Sequence, residues 1–175
     1  MTAFTGTAWV FGSDIGTDLL APGTYMKRPI EEIAPHCLED VDPRFAAGVG
    51  RGDIVVAGRN FGMGSSREQA AQALLQLGVG VVLAKSYGGL FYRNALNLGL
   101  LTLICKDTER IAAGDRISVE PEAGTVRNLT RNEGYACEPV PAHLMAMVRA
   151  GGLVPYLERK LAAMRAMPPG LDQAT

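Results

Sequence analysis

Two adjacent serines and an arginine, Ser65, Ser66 and Arg67, close a glycine-rich run: Gly58-Arg-Asn-Phe-Gly-Met-Gly-Ser-Ser-Arg-Glu68. Two hydroxyls and a guanidinium at consecutive positions suit anion binding. Arginine grips a carboxylate through two parallel hydrogen bonds, which lysine cannot do. The apolar stretch Asp53-Ile-Val-Val-Ala57 before the run reads as a buried strand, and the residues after it read as a helix. The run thus lies where a strand hands over to a helix start, with its unpaired N–H groups and positive dipole end. Gly62 and Gly64 let the backbone take left-handed angles and approach a ligand closely. These features predict an anion cradle at residues 64–67.

A plainer reading competes. Ser65 and Glu68 have the spacing of a helix capping box, which would account for both residues. A cap needs one hydroxyl, though, and no arginine beside it. The position at the C-terminal end of a predicted parallel strand is also where open α/β sheets hold their ligands.

Other chemistries lack their residues. A P-loop requires Gly-Lys-Ser/Thr, and the run has no lysine. Gly62-Met-Gly64 is only the first half of a dinucleotide fingerprint, with Glu68 near the place of its third glycine. No G-x-S-x-G motif occurs, and the chain has only two histidines. His36 follows a proline in a predicted loop, and His143 lies on an apolar late helix and reads as structural. Cys37, Cys105 and Cys137 are far apart and form no C-x-x-C pair, so no metal site is expected on this chain.

The elements that must position the cradle follow from periodicity. Strands are predicted at 7–11, 53–57, 79–84 and 100–104, and helices at 66–77 and 89–98 with Gly78 and Gly99 as stops. Residues 14–27 read as loop. Pro29 opens a short predicted helix over 29–34, and Asp42 marks another helix start. Period-two alternation at 115–120 and 124–128 predicts a hairpin. Helices are predicted at 142–149 and, amphipathic, at 155–167.

The chain has 175 residues, 47% of them hydrophobic and 20% charged, with a net charge of −1. That suits one domain, residues 1–165, followed by a disordered tail, 166–175. The charge gives no reason to expect nucleic acid or a membrane surface as partner. No secretory signal pattern opens the sequence, so a cytoplasmic location is expected.

The run at 58–68 resembles the signature of the aconitase swivelling-domain family, and most of all its 3-isopropylmalate dehydratase small subunits. Further blocks carry the likeness: Gly16-Thr-Asp18 with the segment to Arg28, Lys85 to Asn94, Asn97-Leu-Gly-Leu-Leu101, and Gly151-Gly-Leu-Val-Pro-Tyr156. The resemblance implies a β/β/α fold of the α/β class, with a mixed, mainly parallel sheet, flanking helices and a C-terminal hairpin. It also implies a small subunit that acts only with a large partner subunit bearing a [4Fe–4S] cluster, and that binds no cofactor itself. The implied reaction moves a hydroxyl between neighbouring carbons of a 2-hydroxy di- or tricarboxylic acid by dehydration and rehydration. The implied substrate pair is 3-isopropylmalate and 2-isopropylmalate, in leucine biosynthesis.

By the same resemblance Ser65 takes the place of the general base. Ser66 and Arg67 bind a substrate carboxylate, with Gly64 allowing close backbone approach. Arg28 takes the place of a second substrate arginine, a role open to Lys27 because the alignment there needs a small gap. Asp18 would orient an acid or base from the partner. Three positions depart from the family pattern: Met63 where cysteine or glutamate is frequent, Gln69 for a usual histidine, and Gly16 for a frequent aspartate. They leave dimethylmalate and homoaconitate open as substrates. A dicarboxylate-binding module without catalysis is also open, as is self-association of the isolated chain.

Overall fold

Strands β2 (Ile54–Ala57) and β3 (Val81–Ala84) are buried at every position. Strands with no polar face need cover on both sides, and here both are interior strands of one mixed sheet. The computed structural model describes residues 2–167. β1 (Phe4–Val10), β2, β3 and β4 (Leu101–Ile104) run parallel, and β5 (Arg116–Glu120), β6 (Thr125–Asn128) and β7 (Glu133–Ala136) continue antiparallel from β1. The order is β4-β3-β2-β1-β5-β6-β7. Its two edges meet at one end, where Cys105 and Cys137 pair antiparallel and Glu138 N–H donates to the Ile104 carbonyl at 2.8 Å. The sheet is therefore curled towards closure.

Alternate strand residues feed two cores. Val55, Ala57, Val82 and Ala84 face α4 (Glu68–Gln76) and α5 (Gly89–Leu98). Ile54, Val56, Val81 and Leu83 face the inside of the curl with Ile117, Val119, Val126 and Met145, the last from α6 (Ala142–Arg149). Each helix of the first layer follows a parallel strand, so its N-terminus lies at the carboxyl ends of the strands.

Several boundaries differ from expectation, each for a physical reason. The predicted loop at 14–27 contains α1 (Thr17–Leu20) and a 3₁₀ turn at Gly23–Tyr25. Pro22 pushes Ala21 out of the helical region and stops α1 after one turn. Strand β1 starts three residues early because Phe4 to Thr7 pair with β5, a partner more than a hundred residues away that local pattern does not reveal. The hairpin gains a third strand, β7, whose four residues bury only Tyr135 and so are too short to register as alternation.

Pro29 precedes helix α2 (Ile30–Ile33) rather than opening it, and α3 (Phe45–Gly48) begins beyond Asp42, whose carboxylate accepts from Arg44 N–H at 3.0 Å. Helix α7 (Leu153–Ala166) holds Pro155 in its first turn, where the missing N–H costs nothing, and buries no residue. It runs one residue into the segment read as tail, and 168–175 lie outside the described residues.

Candidate active site

The run after β2 is stitched to the segment after β1. Gly58 N–H donates to the Gly12 carbonyl at 3.1 Å, Arg59 N–H to Ser13 Oγ at 2.9 Å, and Gly62 N–H to the Ile15 carbonyl at 2.7 Å. Thr17 N–H returns a bond to the Met63 carbonyl at 2.9 Å. Phe61 anchors the turn. It is fully buried and meets Phe91 edge to face, with ring centroids 5.3 Å apart. Gly62 has φ +76°, and a Cβ there would run into the Phe91 ring. Gly64 has φ +108° and would bring a Cβ to 3.2 Å from Thr17 Oγ1. Both glycines are required by conformation as well as by space.

This frame presents Ser65, Ser66 and Arg67 at the start of α4. The two serines are exposed and Arg67 is half-buried. Ser65 N–H donates to Thr17 Oγ1 at 3.2 Å, and the Ser65 and Thr17 hydroxyls are themselves 3.2 Å apart. Arg67 Nη1 donates to the Ala21 carbonyl at 3.0 Å. From the other side, Asn94 Nδ2 donates to the Ser66 carbonyl at 3.1 Å.

The capping box does not form. Helix α4 begins at Glu68 with Arg67 as its N-cap and no side-chain cap bond. Gly64 turns the chain so that Ser65 faces Thr17 of the neighbouring segment instead of the helix's own first turn.

Asp18 is exposed in the single turn of α1, and its carboxylate folds back over Gly16. Lys27 and Arg28 are not drawn into the cradle. Both are exposed, and Arg28 pairs with Glu32 at 3.3 Å while lying 5.7 Å from the centre of the Tyr25 ring. Tyr25 stacks on His36 at 3.7 Å, and His36 Nδ1 lies 2.7 Å from Glu39. A cleft of about 470 Å³, lined by Ser13, Arg59, Lys85 and Glu109 among others, lies beside the run and includes neither Ser65 nor Arg67.

Two residues of this site carried no role in the sequence reading, Thr17 and Asn94. Thr17 is buried at 2% exposure, and its partner lies 48 positions away, beyond any periodic signal. Asn94 did leave a trace, a polar residue between Phe91 and Leu98 on the apolar stripe of α5.

Among the described residues no group of three or more His, Cys, Asp or Glu side chains could hold a metal ion. The three cysteines are free and buried. Burial raises the Cys37 and Cys105 thiols and pushes Cys137 up to about 12, so none is a reactive thiolate in the free chain. The donor set of this chain does not fit an iron–sulfur cluster.

The model of the aconitase C-terminal domain matches residues 40–108, which span β2, the cradle, β3 and β4. The 3-isopropylmalate dehydratase small subunit 1 of Archaeoglobus fulgidus is 47% identical over 153 residues, 86% of this chain and 94% of that protein. The corresponding small subunit 1 of Thermotoga maritima is 43% identical over 156 residues, 88% of this chain and 94% of that protein. The chain belongs to the 3-isopropylmalate dehydratase small-subunit family.

A crystal structure of a family member, 3-isopropylmalate dehydratase from Methanocaldococcus jannaschii, superposes with a TM-score of 0.87 at 38% identity, covering 95% of this chain and all of that one. The curled mixed sheet with its flanking helices is thus the family fold, as the resemblance implied. The match spans the first segment, the cradle and the α5 block alike, so family membership does not hang on the serine–serine–arginine run alone.

Proposed function

We propose that this chain is the small subunit of a two-subunit hydro-lyase that interconverts 3-isopropylmalate and 2-isopropylmalate, and that residues 64–67 are its half of a shared active site. The observation that carries the proposal is the assembly of Ser65, Ser66 and Arg67 at one helix start, braced by Thr17 and Asn94. The names of the relatives supply the substrate.

Dehydration removes a weakly acidic C–H proton next to a carboxylate while the neighbouring carbon loses its hydroxyl. Ser65 Oγ takes that proton and, in the rehydration direction, returns it. A serine alkoxide needs donors and positive charge around it. The α4 N-terminus and the Arg67 guanidinium supply both. Ser66, by N–H or hydroxyl, and Arg67, by its two-bonded fork, hold the carboxylate that acidifies the proton. Gly64 keeps a side chain out of the space between them.

Arg28 or Lys27 binds the second carboxylate. For Arg28 this requires leaving Glu32, an exposed pairing worth only about 1 kcal/mol or less. Asp18 orients an acid or base of the large subunit. The [4Fe–4S] cluster that completes the site belongs to that subunit, where it would act as Lewis acid towards the departing hydroxyl. The complex works in the cytoplasm, a setting in keeping with three unpaired thiols.

The test is reconstitution. The isolated chain should show no isomerase activity. Mixing it anaerobically with its large subunit should restore activity, and Ser65→Ala should nearly abolish it. Full activity in the Ser65→Ala complex would sink the assignment of the base. Running dimethylmalate and homoaconitate beside 3-isopropylmalate decides the substrate.

A further inference from the structure

Thr17 is the first residue of a one-turn helix, it is buried, and its hydroxyl meets Ser65 twice. It accepts the Ser65 N–H at 3.2 Å and lies 3.2 Å from Ser65 Oγ. We propose that the Thr17 hydroxyl is a positioning residue that donates to Ser65 Oγ and favours its ionised form. The proposal rests on the reading of Ser65 as the base, and it concerns what lets a serine serve as one.

The argument starts from hydrogen-bond capacity. A threonine hydroxyl has one proton and two lone pairs. The Ser65 N–H occupies one lone pair and polarises the hydroxyl, which makes its own proton a better donor. Among the described residues, Ser65 Oγ is the other hydrogen-bonding partner of Thr17 Oγ1. While Ser65 is neutral, either hydroxyl can donate. Once Ser65 has lost its proton only Thr17 can, and the bond becomes charge-assisted and shorter. A bond that strengthens on ionisation lowers the pKa of the group that ionises.

Burial adds to this. Water does not compete for Thr17, so its donor stays aimed at Ser65 while Ser65 itself remains open to substrate. Two contacts to one oxygen also restrict the χ1 of Ser65, which holds Oγ in one direction.

The loop is shaped around this hydroxyl. Thr17 N–H is fastened to the Met63 carbonyl at 2.9 Å, so the threonine and the serine ride on the same backbone frame. A Cβ at position 64 would stand 3.2 Å from Thr17 Oγ1, so Gly64 leaves the hydroxyl room to reach Ser65. A purely packing role would call for the threonine methyl and not for the oxygen, and the substitutions below separate the two.

The experiment uses the reconstituted two-subunit enzyme with Thr17→Val, Thr17→Ala and Thr17→Ser. Valine keeps the shape and deletes the hydroxyl, and serine keeps the hydroxyl and deletes the methyl. The expected result for valine is a kcat lower by on the order of 100-fold, the scale for loss of one donor to a catalytic oxyanion, with KM little changed. The rising limb of kcat against pH should move to higher pH, because a base that has lost its donor ionises later. Serine should restore both kcat and the limb.

Should the valine variant fail to melt cooperatively or to co-elute with the large subunit, the alanine variant takes its place. An unshifted limb in the hydroxyl-less variant, or a serine variant no better than it, overturns the proposal. The outcome for Ser65→Ala in the same assay separates the layers. An active Ser65→Ala complex means the base is misassigned. An inactive Ser65→Ala complex beside an unperturbed Thr17→Val one means the base stands and Thr17 does not act through it.

Discussion

Arg67 Nη1 donates to the carbonyl oxygen of Ala21 at 3.0 Å, which ties the cradle to the segment that carries Lys27 and Arg28. Ala21 is fully buried and ends the single turn of α1, and Pro22 and the Gly23–Tyr25 turn follow directly. One guanidinium nitrogen is thus spent on the protein, which fixes the plane of the fork. The remaining N–H groups stay available to a carboxylate. The segment leading to Lys27 and Arg28 and the turn that carries Ser65 are thereby coupled through a single side chain.

Arg67→Lys should therefore lose two things at once, the planar fork and the anchor on Ala21. The expected loss in kcat/KM is roughly 10- to 150-fold, from removal of one charged hydrogen-bonding arrangement worth about 1.5–3 kcal/mol. Steady-state kinetics of the reconstituted complex reads it. A lysine variant with unchanged kcat/KM would show that charge alone suffices at this position.

What could be seen in the residue string, and what could not, divides by sequence distance. The glycines, the serines and Arg67 sit within one run, and their order carries the turn and the helix start together. β2 and β3 announced themselves as the largely apolar stretches 53–57 and 79–84, within which they form. Thr17 and Ser65, by contrast, are unremarkable to each other at 48 positions until Gly64 turns one towards the other. The spacing of Ser65 and Glu68 satisfied the capping rule, yet the local turn overrode it. In the antiparallel half the hairpin of β5 and β6 showed its alternation, but its place in the sheet did not. Only β5 joins the N-terminal half of β1, and β7 is too short and too exposed to show a period. Nor does period-3.6 patterning reveal whether a face is covered. Val154, Leu157, Leu161 and Met164 of α7 keep helical spacing but are all exposed.

Asn94 gives a second prediction. Its Nδ2 holds the Ser66 carbonyl at 3.1 Å, and a trans peptide points the next N–H, that of Arg67, the opposite way. Asn94→Asp replaces the donor by an acceptor facing a carbonyl oxygen, beside the proposed anion cradle. Its kcat/KM should fall further than that of Asn94→Ala, while each variant loses only about 1 kcal/mol of stability. Equal kinetics for the two variants would mean that the amide does not orient the cradle.

Gly62→Ala should act through folding. The substitution meets a left-handed backbone at φ +76° and the Phe91 ring together. The sum of about 1–2 kcal/mol of backbone strain and about 1–3 kcal/mol of overpacking predicts a clear drop in melting temperature. A melting temperature equal to that of the unaltered chain would mean that Phe91 and the turn yield easily.

The last prediction concerns acid stability and lies away from the cradle, at the turn into β5. Asp115 is buried, and burial by itself pushes its carboxyl up. The Ala112 N–H at 2.9 Å, the Asn128 amide at 2.7 Å and Arg131 Nε at 2.9 Å outweigh that effect and leave it below the ordinary carboxylate value. A group whose pKa is lower folded than unfolded stabilises the fold above its unfolded pKa, near about 4, and loses that contribution as pH falls through the folded value. Unfolding free energy should therefore decline as pH drops below about 4. Asp115→Asn removes the titration. It should be less stable than the unaltered chain at neutral pH, because Arg131 and the Asn128 amide lose their charged acceptor. It should also show a shallower decline in acid. Chemical denaturation of both chains from neutral pH to about 3 measures the two slopes. Parallel slopes would show that other carboxylates govern the acid limb and that Asp115 contributes its hydrogen bonds without its charge.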